Sequence, residues 1–122
     1  MIRISDMIKN NVSKSLLSDN QLKDLLEKVF VKEGYYTSIE KSIKRGLDKH
    51  INEVMISFSI RSIKNDVRRY LQKGTTFTES QLCKAVTNWA KQQNETIEGK
   101  FEWRFEEDMY NDLYFYIWIG LE

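Results

Sequence analysis

Apolar residues recur every three or four positions in two stretches of the chain, and this spacing predicts two amphipathic helices. The first helix begins behind Ser18 and ends at Gly34, and the second begins behind Thr78 and ends near Asn94 and Gly99. Each start carries a capping box, in which a serine or threonine and a glutamine three residues later satisfy free backbone N–H groups. The apolar positions are Leu22, Leu25, Leu26, Val29 and Phe30 in the first helix and Leu82, Ala85, Val86 and Trp89 in the second.

A third helix, which lies between the other two in the chain, is predicted behind Thr37. Glu40 stands three residues after Thr37 and completes the same kind of box. The apolar stripe of this helix is Ile39, Ile43, Leu47 and Ile51. Gly46 weakens the helix by about 1 kcal/mol relative to alanine. A shorter helix is predicted around residues 5–15.

The segments KEGYYTSIE (32–40) and KGTTFTESQ (73–81) share a lysine, a glycine, an aromatic residue and a threonine in the same order. The shared order predicts that Thr37 and Thr78 are both N-cap residues. It does not indicate a duplicated functional site, because Ile43 matches Lys84 when the two caps are aligned. We interpret the likeness as two helix starts.

Residues 53–72 fit two different structures. Val54, Ile56 and Phe58 alternate with more polar residues, as in a strand, but the apolar positions of the region also fit a helix. We predict a strand at 53–60 and a helix at 61–72. A continuous helix over 37–72 would be far longer than the average of about 11–12 residues.

The C-terminal residues carry the clearest strand pattern in the chain. Aromatic and charged residues alternate in KFEWRFE, a polar loop EDMYN follows, and the chain then runs DLYFYIWIGL. The predicted register places Phe105 opposite Leu113, Trp103 opposite Phe115 and Phe101 opposite Ile117, which puts the apolar residues on one face. The whole pattern predicts a single α+β domain over residues 1–122, with three to four helices packed on a small antiparallel sheet that includes a C-terminal β-hairpin.

Composition narrows the classes of protein that remain. The chain of 122 residues has a net charge of +1, so its total charge shows neither a nucleic-acid-binding footprint nor an acidic mimic of nucleic acid. Cys83 is the only cysteine, which excludes an intrachain disulfide and favours a reducing compartment. We recognise no signal peptide, and the longest apolar run, 113–121, is too short to span a membrane. We therefore expect a cytoplasmic protein without a membrane partner.

The choice of residues also hints at a source. The chain is rich in lysine, isoleucine and asparagine, poor in alanine and free of proline. This mixture is typical of AT-rich coding sequence, and it suggests a low-GC bacterium or one of its phages.

Few side chains in the sequence could support catalysis. His50 is the only histidine, and we place it at the edge of the core beside the apolar stripe of the third helix. Cys83 has no neighbour in sequence that would lower its pKa. One cysteine and one histidine do not form the usual zinc sites, and the acidic residues of the hairpin loop lack calcium-binding spacing. We expect no enzymatic activity, no metal and no cofactor.

Two basic helix faces support one hypothesis for function. The basic residues are Lys41, Arg45 and Lys49 on the third helix and Arg61, Lys64, Arg68 and Arg69 on the helix that follows it. Together they could contact several phosphates, which makes a nucleic-acid-binding accessory protein the alternative hypothesis. Solvated helix faces in a lysine-rich protein have the same appearance.

The last strand supports the leading hypothesis. Its second face carries Tyr114, Tyr116 and Trp118 opposite Glu102 and Arg104, where an antiparallel sheet usually presents polar residues to solvent. Aromatic side chains with polar groups are favoured at protein interfaces. We predict a small non-catalytic protein-binding module, encoded by a phage or mobile element, that regulates or inhibits a partner or self-associates through the hairpin. The alternative is that helices or the N-terminal segment cover this face.

Overall fold

The computed structural model describes residues 3–4, 15–96 and 100–121. Its elements are β1 (Ser15–Leu16), α1 (Asp19–Lys32), α2 (Tyr35–Asp48), β2 (Glu53–Ser59), α3 (Ile60–Arg69), β3 (Thr75–Thr76), α4 (Glu79–Thr96), β4 (Phe101–Glu107) and β5 (Leu113–Gly120). These helices, the antiparallel sheet and the C-terminal hairpin confirm the predicted α+β class. The helix predicted around residues 5–15 lies outside the described residues except for Ser15, which begins β1.

The main sheet has three strands in the order β2-β5-β4, and both neighbouring pairs are antiparallel. The strand predicted at 53–60 is confirmed as β2. The helix predicted at 61–72 is α3, whose start is capped by the Ser59 hydroxyl accepting the Ser62 N–H at 3.3 Å. The hairpin therefore supplies two of the three strands, and β5 is the central one.

The predicted hairpin register is wrong by two residues. Phe105 lies opposite Phe115 rather than Leu113, and Trp103 lies opposite Ile117. The turn is centred on Tyr110, one residue later than expected, because Asp108 N–H donates to the Asp112 carbonyl at 3.0 Å and Asn111 adopts the left-handed conformation with φ 62°. A short loop ending in a left-handed residue is a common hairpin geometry. A shift of two residues preserves the faces of both strands.

The helix α2 begins earlier than predicted. Gly34, with φ 81°, is its N-cap residue, and no side chain caps the helix. Thr37 therefore lies inside the first turn, and its assignment as an N-cap is wrong. Gly34 allows the chain to pass directly from α1 into α2, and this early start brings Tyr35 onto Phe30, with ring centroids 5.0 Å apart.

The apolar stripe predicted for α2 is only partly correct. Ile39 and Ile43 pack against the core, but Leu47 and Ile51 are 52% and 45% exposed. Gly46 takes the buried position instead, since a Cβ atom there would lie 2.5 Å from Val54 Cγ1 and 2.7 Å from a Leu121 methyl carbon. Gly46 has a low helix propensity, but its lack of a side chain allows the α2 backbone to approach β2 closely.

The capping boxes at the starts of α1 and α4 are confirmed. The Ser18 hydroxyl accepts the Gln21 N–H at 3.1 Å, and the Thr78 hydroxyl accepts the Gln81 N–H at the same distance. Both boxes directly follow a short strand, and these two strands, β1 and β3, pair in parallel. Gln81 also donates to the Leu17 carbonyl at 2.9 Å, which ties the two helix starts together.

The core lies between the helices and one face of the main sheet. Phe30 from α1 and Trp89 from α4 are at its centre, with ring centroids 5.0 Å apart. Trp89 also contacts Phe101 and Phe115 from the sheet, and its Nε1–H donates to the Tyr36 hydroxyl at 2.9 Å. One tryptophan therefore joins two helices to α4 and to both strands of the hairpin.

The two threonines of the sequence echo provide a matched test of the helix starts. Thr78→Ala removes an observed cap and should cost about 0.5–2 kcal/mol of unfolding free energy, whereas Thr37→Ala, at an exposed site without a cap, should change it little. Chemical denaturation of both variants measures the difference. An equal loss from the two substitutions would contradict the assignment of Gly34 as the start of α2.

Candidate functional site

The sheet face that points away from the helices is the candidate functional site, and we call it the open sheet face. Its residues alternate with the core residues of the same three strands. They are Met55 and Ser57 from β2, Tyr114, Tyr116 and Trp118 from β5, and Glu102, Arg104 and Glu106 from β4. The aromatic residues occupy the central strand, so they form a row between Met55 and Ser57 on one side and the charged residues of β4 on the other. Glu53 of β2 shares this face beyond Met55.

The aromatic row is continuous. The ring centroids of Tyr114 and Tyr116 are 6.3 Å apart, and those of Tyr116 and Trp118 are 6.1 Å apart. All three side chains are half-buried by their neighbours. The Arg104 guanidinium lies 5.3 Å from the centre of a Trp118 ring, and Arg104 Nε is 3.1 Å from a carboxylate oxygen of Glu106. These contacts hold large side chains in place before any partner arrives, which lowers the entropy lost on binding.

The other face of β5 belongs to the core, as predicted. Phe115 and Ile117 are fully buried, while Leu113 is only partly buried near the hairpin loop. Within the described ranges, no helix packs on the open sheet face, so the alternative in which helices cover both faces is not what these ranges form. The alternative in which the N-terminal segment covers the face concerns residues outside the described ranges.

The basic residues predicted from sequence are not equivalent in the structure. Lys41, Arg45, Lys49 and Arg68 are exposed, and Lys64 is half-buried. Arg61 and Arg69, although also exposed, are already paired with carboxylates. Arg61 forms an ion pair with Asp112, and Arg69 forms one with Asp66 and a second with Glu33 at 3.4 Å. Phosphate binding at these two arginines would therefore compete with pairs formed within the chain.

A polar cluster that the sequence did not reveal joins the α1–α2 turn to α3. The Tyr35 hydroxyl donates to Asp66, Arg69 pairs with Asp66, and the Tyr70 hydroxyl donates to Glu33 at 2.8 Å. Burial and the hydrogen bond to Asp66 raise the pKa of Tyr35 well above its usual value. The members satisfy one another, so the cluster acts as a structural connection between helices. Glu33 and Tyr35 are more than thirty residues from the other members in sequence, and no local pattern predicts this contact.

His50 and Cys83, the two residues considered for catalysis, lie at different elements, beyond the end of α2 and within α4. His50 is exposed just beyond the end of α2, in the left-handed conformation with φ 56°, so the prediction that it lies at the core edge is wrong. Its N–H donates to the Leu47 carbonyl and the Ile51 N–H to the Gly46 carbonyl, a common way to end a helix. Burial raises the pKa of the Cys83 thiol, which disfavours the reactive thiolate.

An acidic residue of the hairpin loop stabilises the turn itself. Asp108 accepts the backbone N–H groups of Tyr110 and Asp112 through one carboxylate oxygen, at 2.9 and 3.0 Å. Across the described residues, no group of three potential metal ligands is found. None of the helices in these ranges is both long enough and apolar enough to cross a bilayer.

The chain matches no family model, and no curated protein or solved structure matches it. Its function must therefore be inferred from its own geometry.

The two faces of β5 should respond differently to truncation. Phe115→Ala removes a fully buried ring and should cost about 3–5 kcal/mol of unfolding free energy, and the milder Phe115→Leu keeps the loss measurable if the alanine variant does not fold. Tyr116→Ala and Trp118→Ala remove only partly buried contacts and should each cost about 1 kcal/mol. Urea denaturation measures all four variants. Losses at Tyr116 and Trp118 equal to the loss at Phe115 would show that the open sheet face is covered.

Proposed function

We propose that this chain is a small non-catalytic protein-binding module that regulates or inhibits a partner protein by occupying part of its surface. The observation that carries the proposal is the aromatic row of Tyr114, Tyr116 and Trp118, on a sheet face that no helix of the described residues covers. Tyrosine, tryptophan and arginine are the residues most enriched where binding energy concentrates at protein interfaces. Here all three types lie together on the open sheet face, because Arg104 of β4 lies over Trp118 of the aromatic row.

The charges around the row favour a protein over nucleic acid. Proteins that stack bases on aromatic side chains surround them with a positively charged groove. Here β4 places Glu102 and Glu106 beside the row and only Arg104 between them. Phosphates would meet two carboxylates for one guanidinium. A protein surface that offers both donors and acceptors is better matched to this arrangement.

The size of the face indicates where a partner must reach. Three strands of seven or eight residues cover about 23 Å by 14 Å, or roughly 300 Å² in projection. A standard interface buries about 800 Å² of accessible surface on each partner. The contact must therefore extend past the open sheet face. The hairpin loop adjoins it, and Met109 and Tyr110 at its tip are 85% and 76% exposed.

The second candidate is a nucleic-acid-binding accessory protein. The observation in its favour is the exposure of Lys41, Arg45, Lys49 and Arg68 on α2, α3 and the α2 C-terminus. It ranks second because Arg61 and Arg69 are already paired with carboxylates. The residue bias of the chain supports a low-GC bacterium or phage as its source, and we place its action in the cytoplasm of such a cell.

A binding experiment separates the two candidates. The wild-type chain, a Tyr116→Ala/Trp118→Ala variant and an Arg45→Glu/Arg68→Glu variant are immobilised, exposed to nuclease-treated extract of the native host, and compared by mass spectrometry. Affinities are then measured with the purified partner. We expect the aromatic variant to bind about 30-fold more weakly, which corresponds to a loss of about 2 kcal/mol, and the charge-reversed variant to bind like wild type.

The nucleic-acid arm uses the same variants. The wild-type chain should bind single-stranded or duplex DNA no more tightly than ~100 μM near physiological salt. Sub-micromolar DNA binding that the Arg45→Glu/Arg68→Glu variant loses and the aromatic variant keeps would replace the protein-binding proposal by the second candidate.

A further inference from the structure

The strand β4 lies at an edge of the sheet, and its hydrogen-bonding groups are arranged for another strand. Gly120 N–H donates to the Lys100 carbonyl at 2.8 Å, which shows that the even-numbered residues of β4 point their backbone groups toward β5. Phe101, Trp103 and Phe105 consequently point theirs away from the sheet. Among the described residues, no strand pairs with β4 on that side. Such an edge is a template for strand addition.

The space beside this edge is open. A cleft there is lined by Asn94, Phe101, Glu102 and Trp103. Asn94 Oδ1 is buried at the cleft and has no hydrogen-bond partner within the described ranges. Trp103 and Phe105 are only half-buried, although their side chains lie on the core face. Both the backbone and these side chains would gain cover from a strand added along β4.

The charges on β4 fit a second copy of the same strand. Lys100, which directly precedes β4, and Glu102, Arg104 and Glu106 occupy alternate positions and alternate in sign. In an antiparallel pair centred on Trp103, Lys100 lies opposite Glu106 of the second copy, and Glu102 lies opposite its Arg104. Two-fold symmetry repeats both pairs, so each of these four residues in each copy faces the opposite sign.

Neighbouring registers lose this match. An axis at Glu102 places two glutamates opposite each other and Lys100 opposite Arg104. An axis at Arg104 places two arginines opposite each other and Glu102 opposite Glu106. Like charges directly opposite each other destabilise a strand pair. Charges on an edge strand usually oppose pairing, but this pattern opposes the neighbouring registers and favours the one centred on Trp103.

We propose that a second copy of this chain docks along β4 in antiparallel register about Trp103. The two sheets become one sheet of six strands, with both aromatic rows on the same side and the helices of both copies on the other. At the centre of the new interface Trp103 is covered by its counterpart, and Phe105 is covered by Phe101 of the second copy. The proposal does not depend on the function proposed above, because β4 pairs through its edge and leaves the open sheet face available.

Charge exchange tests both the dimer and its register. Glu102→Lys and Arg104→Glu each place like charges at two symmetry-related positions, and each variant alone should dimerise at least about tenfold more weakly than wild type. A mixture of the two variants restores every opposite pair, so the mixture should form a heterodimer with near wild-type affinity. Glu40→Lys, the same charge change at an exposed site on α2, is the control and should dimerise like wild type.

The measurement is sedimentation equilibrium of the full chain from ~1 μM to ~1 mM, a range that covers weak strand-edge association. Wild type should shift from the monomer mass to twice that mass within the range. A wild-type chain that stays monomeric throughout would overturn the proposal. So would a dimer that both single variants leave unchanged, or a mixture that associates no better than the variants alone.

Discussion

The packing of Trp89 against Phe30 is the contact on which the rest of the structure depends. The two rings bring α4 onto α1, and Trp89 extends the contact to Phe101 and Phe115 of the hairpin. Because every described helix is drawn to this one side of the sheet, the side chains of opposite phase on β5 are left on the outside. Successive side chains of β5 point alternately into the core and onto the open sheet face. Burial of Phe115 therefore determines the outward position of Tyr114 and Tyr116.

Several features that depend on residues close together in sequence were predicted correctly, whereas features that depend on contacts between distant residues were not. The capping boxes at Ser18 and Thr78 and the two faces of β5 depend on residues close together in sequence, and both were predicted correctly. The start of α2 was not, because Gly34 in the left-handed conformation allows a tighter helix connection than the box at Thr37 implied. The exposure of Leu47 depends on close approach of Gly46 to β2, and no periodicity within α2 contains that information.

The candidate site also has a part that the sequence predicted and a part that it did not. The aromatic row, Glu102 and Arg104 could be identified from period-two alternation alone, and a two-residue error in register did not move them to the other face. Met55, Ser57 and Glu106 were not predicted as members of the site. The surroundings of the row could not be predicted, since the position of Arg104 over Trp118 depends on the hairpin register and the open edge of β4 depends on strand order. Strand order also places β5 between β2 and β4, which makes the aromatic row the centre of the surface. A pair of sheets joined through β4 would double that surface toward the size of a standard interface.

The central claim is that the open sheet face is where a partner protein binds. A photoreactive amino acid placed at Tyr116, and in a second protein at exposed Lys41 on α2, tests it directly in cells of the native host. Crosslinked products are identified by mass spectrometry after nuclease treatment. We expect one discrete protein product from position 116, reduced when Trp118 is also replaced by alanine, and no such product from position 41. Crosslinking from position 41 alone would contradict this proposal. So would a product, at either position, that is seen before nuclease treatment and lost after it.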